Sequence, residues 1–169
     1  MFFLFYNRYL EGLGASAAQI GLYMGTMALG SVVVRPLVGT AVDKYGRKRL
    51  IYFGIILMIV SMAGYFLCRR LSWMILAVRA LHGIGFGCYI TGIFTVVADD
   101  APMTRRAKVI GVFGLSGMST YAVAPTVAEW IIARLGFQSL FAFGLVWLVA
   151  GLILSRGLKE QEPSGLEFP

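Results

Sequence analysis

A single histidine and two cysteines leave this 169-residue chain little with which to hold a metal, build a disulfide framework or run acid–base chemistry. The hydrolytic patterns H-E-x-x-H and G-x-S-x-G are missing, and so are paired carboxylates within the apolar runs. The chain is therefore expected not to be an enzyme: no catalytic residue, no metal site and no cofactor are assigned. Charge is scarce as well. Only 14% of residues are Asp, Glu, Lys or Arg, against about 25% in soluble domains, which excludes an ordinary water-facing surface. Cys88 lies within an apolar run and Cys68 at the end of one, so both read as small apolar residues rather than disulfide partners.

What fills the chain instead is hydrocarbon. The hydrophobic share is 59% and the mean hydropathy +0.79. Residues 50–67, 109–128 and 135–155 carry no charge, 71–98 is interrupted only by Arg79 and His82, and 12–34 supplies most of a further run. About twenty helical residues at 1.5 Å each cross a core about 30 Å thick, so each run predicts a transmembrane helix. The opening "MFFLFYNRYL" is apolar only to Tyr6; ten helical residues reach about 15 Å. It lacks the basic start and small-residue cleavage site of a signal peptide. It reads as the outer half of a first span whose beginning is cut off, with Met1 an internal or misassigned start.

The expected fold is an all-α integral membrane bundle over 1–157. Its spans are a partial one at 1–10, then 17–42, 49–67, 72–98, 107–132 and 137–156. Residues 158–169 lose all apolar periodicity and are expected to open a disordered inner connecting segment.

A net charge of +7 raises the question of nucleic acid. The positions of the basic residues answer it. Lys44, Arg47, Lys48, Arg49, Arg105, Arg106, Lys108, Arg156 and Lys159 fall on one side of the predicted topology, and Arg8, Arg69, Arg70 and Arg134 on the other. That bias orients a multi-pass membrane protein with the first group inside. The partner it implies is the lipid bilayer, not nucleic acid.

Local signals agree with these boundaries. Ser16 and Gln19 form an S-x-x-Q capping box before the second span. Pro36, after Arg35, is expected to bend that span, and Gly46 to break the inner turn. Arg134 and Gly136 read as a basic last turn and a glycine stop for the fifth span. The pairs Gly21/Gly25 and Gly83/Gly87, and the series Gly111, Gly114 and Gly117, put small residues on single helix faces. Such faces predict close helix packing, static or sliding.

Between the second and third spans stands Gly39-x-x-x-Asp43-x-x-Gly46-Arg47-Lys48-Arg49. It resembles the signature loop of the major facilitator superfamily, G-x-L-A-D-r-x-G-r-r, with Ala41 and Val42 as mild departures. The resemblance implies an inner gate loop: Gly39 for close helix contact, Asp43 to meet a helix N-terminus or an arginine, Gly46 for the turn. A plain positive-inside anchor would explain the basic residues but not the aspartate and glycines.

A second pattern, "RALHGIGFG" from Arg79, resembles the family's R-x-x-q-G-x-G, with His82 in place of glutamine and Gly83 and Gly85 as its glycines. Arg79 lies about 10 Å into its span by helical rise, where a charge needs water, a partner or a substrate. The resemblance implies a role in coupling and proton movement; the alternative is a guanidinium that snorkels outward or pairs with a fixed backbone carbonyl. His82 is either a proton relay or a hydrogen-bonded substitute for glutamine.

After the fourth span, "ADDAPMTRRAKVIG" resembles the family's acid-x-x-Pro-x-x-Arg-Arg segment. Asp99 or Asp100 pairing with Arg47 or Arg105, beside Arg106, would latch the inner ends; solvated loop charge is the other reading. The fifth span's "YAVAPTVAEW" keeps only the proline, Pro125, of the drug-antiporter motif G-x-x-x-G-P-x-x-G-G, so that membership is not supported. Glu129 is expected near the outer interface. Tyr89, Thr91, Thr95, Ser116, Ser119, Thr120 and Tyr121 are candidates to line a cavity, or to bond their own helix backbones.

Taken together, the resemblance implies the N-terminal six-helix half of a secondary transporter of the bacterial inner membrane. It would move a small solute by alternating access, with proton coupling, and would partner a C-terminal six-helix half or another half-transporter. The alternative is a non-transporting six-span subunit or an inactive fragment of a broken gene.

Overall fold

The structure, a computed structural model, describes residues 2–158, apart from the side chains of residues 2–4 and of Asp43. The predicted tail from 159 onward, Lys159 included, lies outside the described residues. Among the described residues there are six α-helices and no strand: α1 (Phe2–Gly12), α2 (Ala17–Tyr45), α3 (Arg47–Leu67), α4 (Trp73–Asp100), α5 (Arg106–Leu135) and α6 (Phe137–Leu154). Single 3-10 turns at Met103–Arg105 and Ser155–Gly157 precede α5 and follow α6. Five segments are long and apolar enough to cross a membrane; the eleven-residue α1 is not. The fold is a helical membrane bundle.

Helix ends follow the local chemistry. Ser16 and Gln19 close a reciprocal capping box at the start of α2. Gly46 (φ 86°) and Gly136 (φ 80°) adopt the left-handed region that favours glycine, and their N–H groups donate to the Val42 and Ile132 carbonyls. The expected loop around Gly39–Arg49 therefore shrinks to one residue. Asp43 belongs to α2, Arg47, Lys48 and Arg49 to α3, and Gly46 alone joins them. The second inner loop contracts likewise, because α4 continues through Asp99 and Asp100 and leaves only Ala101, Pro102 and the 3-10 turn before α5. Both α2 and α5 run through their prolines, Pro36 and Pro125.

α4 is the axis of the bundle, with α2 on one side and α3 on the other. Glycines make those contacts close. A methyl at Gly30 would stand 2.7 Å from the Ala80 carbonyl oxygen, and one at Gly87 2.8 Å from that of Ser31; one at Gly83 would collide with the Met27 backbone. Gly54 and Gly85 fit together in the same way between α3 and α4. The other glycine faces behave differently: Gly21, Gly25, Gly39, Gly111, Gly114 and Gly117 have open space where a Cβ would lie. The close packing expected of them is thus not made within this chain. For Gly114 and Gly117 that open space is a cavity between α4, α5 and α6.

The largest core cluster sits at the end away from the Gly46 turn, where Tyr6 and Leu10 of α1, Tyr23 of α2, Met62 and Tyr65 of α3, Ile75 of α4 and Phe141 of α6 meet. α5 is held more sparsely, its buried residues being Ala124, Ala128 and Ile131.

Candidate functional site

At the basic end, the single-glycine turn starts α3 with Arg47, Lys48 and Arg49, so three cations crowd a helix N-terminus. A helix dipole disfavours cations there, and disfavours an acid in the last turn, where Asp99 stands on α4. Pairing relieves both. Arg47 Nε donates to Asp99 Oδ2 at 3.0 Å, with Arg47 nearly buried and Asp99 about one-third exposed (9% and 32%). Lys48 Nζ donates to the Arg156 carbonyl at 3.1 Å and ties α3 to the end of α6. Arg105 and Arg106, expected in the same latch, make no ion pair among the described residues. Asp100 is exposed, and the Asp43 side chain lies outside the described residues.

Arg79 is fully buried. Its Nε donates to the Tyr23 carbonyl at 3.1 Å, its Nη2 lies 2.7 Å from Met24 Sδ, and its guanidinium sits 4.5 Å from the centre of the Tyr6 ring. The guanidinium is thus bound to a backbone carbonyl, beside side chains of α1 and α2. Beside it, Tyr65 Oη and His82 Nδ1 are 3.2 Å apart, so the histidine takes part in a buried hydrogen bond. Gly83 and Gly85 serve the close contacts of α4 with α2 and α3.

The hydroxyl-bearing candidates divide between two spaces. Thr91 and Thr95 line an open depression of about 590 Å³ with Arg35 and Phe94. Tyr89, Ser116, Thr120 and Tyr121 line a larger one of about 740 Å³ between α4, α5 and α6, together with Phe86, Phe113 and Met118. Ser119 lines neither. Several hydroxyls satisfy themselves on their own helices: Thr95 donates to the Thr91 carbonyl, Ser116 to Phe113 and Ser119 to Ser116. The larger space is aromatic and apolar with a few hydroxyls, which suits an amphipathic molecule.

A family model described as Major Facilitator Superfamily matches residues 1–168. The chain belongs to the Major Facilitator Superfamily. Among curated relatives, it is 26% identical over 162 residues to the "Quinolone resistance protein NorA" of Staphylococcus aureus (strain Mu50 / ATCC 700699), a match covering 94% of this chain and 42% of the relative. It is 28% identical over 155 residues to the "Multi-drug resistance efflux pump PmrA homolog" of Lactococcus lactis subsp. lactis (strain IL1403), covering 87% and 35%. The chain thus spans less than half the length of these superfamily relatives.

Three features of this superfamily member escaped the sequence reading. Arg35, exposed on α2 beside Thr91 and Thr95, is a charge ten residues short of that helix's inner end; its depth was the available signal. Tyr65 as partner of His82 had none, since seventeen residues separate them. Arg8 of α1 pairs with Glu129 of α5, both half-exposed, which joins the outer ends of two helices far apart in sequence.

Proposed function

We propose that this chain is the N-terminal half of a secondary transporter that exports small amphipathic solutes across the bacterial cytoplasmic membrane by alternating access, driven by protons. Two such halves would rock about a site between them. The observation that carries the reading is the Arg47–Asp99 pair, which binds the inner ends of α3 and α4. In this reading it makes the inner end of the half move as one body, and Asp43 engages the other half as the inner gate closes.

The solute class follows from the aromatic and hydroxyl lining beneath α5, and it agrees with the quinolone and multi-drug resistance named for the relatives. Arg79 and His82 are the groups through which proton coupling would pass. In this reading they act indirectly, through the packing of α1 and α2 on α4, and their enclosure supports that part.

The test is dye export from cells making this chain together with a six-helix C-terminal half of a relative such as the S. aureus quinolone resistance protein. Export faster than with either half alone is expected, slowed several-fold by Asp99→Asn at equal membrane levels. Dye retention equal to that of control cells, with both halves present in the membrane, would overturn the proposal.

A further inference from the structure

α2 and α3 both lean on α4 and touch each other far less, and a wedge opens between them. Val38, Leu50 and Cys88 form its buried floor, and Leu37 and Phe53 are its exposed walls. The resulting groove has a volume of about 470 Å³ and an almost wholly apolar lining, until it reaches Tyr45 and Arg49 at the basic end. Along α2 it runs from Val34 to Tyr45, about 16 Å at 1.5 Å per residue. One leaflet of a hydrocarbon core about 30 Å thick has nearly that depth.

The mouth carries the opposite chemistry. Arg49 is exposed and lines it, and Lys44 Nζ lies 5.3 Å from the centre of the Tyr45 ring, which stands at the same place. Arg47 and Lys48 are engaged with Asp99 and the Arg156 carbonyl; Arg49 and Lys44 meet no acid among the described residues. The first turn of α3 also holds no acid and no side-chain cap, so its leading N–H groups favour an anion from the same direction.

We propose that this groove binds one anionic phospholipid of the inner leaflet, an acyl chain lying between α2 and α3 and the phosphate held by Arg49 and Lys44. Charge complementarity selects this occupant over a zwitterionic lipid, because the mouth presents two cations and the inner leaflet supplies the anions. The groove shares no lining residue with the two solute spaces. It holds whether or not the chain exports solutes.

Native mass spectrometry of the purified chain, exchanged into equal amounts of phosphatidylglycerol and phosphatidylcholine, tests it. Phosphatidylglycerol is expected to be retained at least about fivefold over phosphatidylcholine, on the scale of one or two basic contacts. Arg49→Gln should remove most of that preference, and Ala41→Trp, which fills the groove, should lower retention of both lipids. The outer-side variant Arg134→Gln should change neither.

An unselective wild type overturns the proposal without recourse to any variant. So does a preference that survives both groove variants, an equal loss in Arg134→Gln, or a dimer that carries no lipid and so places a second copy in the groove.

Discussion

Arg47 and Asp99 are 52 residues apart in the chain and 3.0 Å apart in space. Each opposes the dipole of its own helix, so each is better placed with the other than alone. Asp99→Asn would leave a nearly buried guanidinium beside a neutral amide. A loss of about 1–2 kcal/mol is expected, between the values for exposed and buried pairs. Thermal unfolding in detergent measures it, and the exchanged pair Arg47→Asp with Asp99→Arg should recover part of the loss.

Glycines in two small-residue helix faces should respond in opposite directions. A methyl at Gly83 runs into the Met27 backbone, which cannot rotate away as a side chain would. Gly83→Ala should therefore destabilise by about 1–3 kcal/mol through overpacking. Gly117→Ala meets nothing within 4 Å and should raise stability by up to about 1 kcal/mol through helix propensity. The two melting temperatures should move apart from that of the parent chain.

Arg79 combines a planar contact on Tyr6 with a directed bond to the Tyr23 carbonyl. Lysine cannot reproduce both, since it lacks the flat fork. Arg79→Lys should lower stability by about 2 kcal/mol or more, in the range for disturbing a buried polar contact. Tyr6→Leu made in the Arg79→Lys chain should cost less than in the parent. Additive losses in that double-mutant cycle would separate the two side chains energetically.

Arg35 should behave in the contrary sense. It is exposed within a span and makes no ion pair among the described residues. Near the middle of a span an arginine costs about 2.5–3.5 kcal/mol in insertion assays, and less toward the ends. Arg35→Leu is expected to improve insertion of α2 in a glycosylation-mapping assay. Slower dye export by the two-half transporter should accompany the gain, the trade found where a costly residue serves function.

What could be read in the sequence was local. The Ser16–Gln19 box and the Gly136 stop are set by neighbours within a turn, and the span lengths by hydrocarbon thickness. The pairing of Arg47 with Asp99 could be narrowed to a few charges at one end of the bundle. Its members could not be fixed, because Arg105 and Arg106 have the same chemistry. Direction was hidden as well: Gly83 and Gly117 look alike in a helical sequence, and only the positions of the neighbouring helices decide which is covered. The contact of Arg79 with a backbone carbonyl leaves no trace in side-chain identity.

One consequence concerns Pro125. A proline has no N–H, so the Tyr121 carbonyl one turn earlier lacks its helical donor, and two glycines, Gly114 and Gly117, lie before it on the same helix. α5 is fastened on the outer side of this stretch by Ala124, Ala128 and Ile131, and on the inner side by Phe113 against Phe94. Between these fastenings it spans the open space of about 740 Å³ that it shares with α4 and α6. It works as a bowstring: its weakest rungs lie over the gap, so the gap can narrow by flexing one helix while both of its ends stay in place.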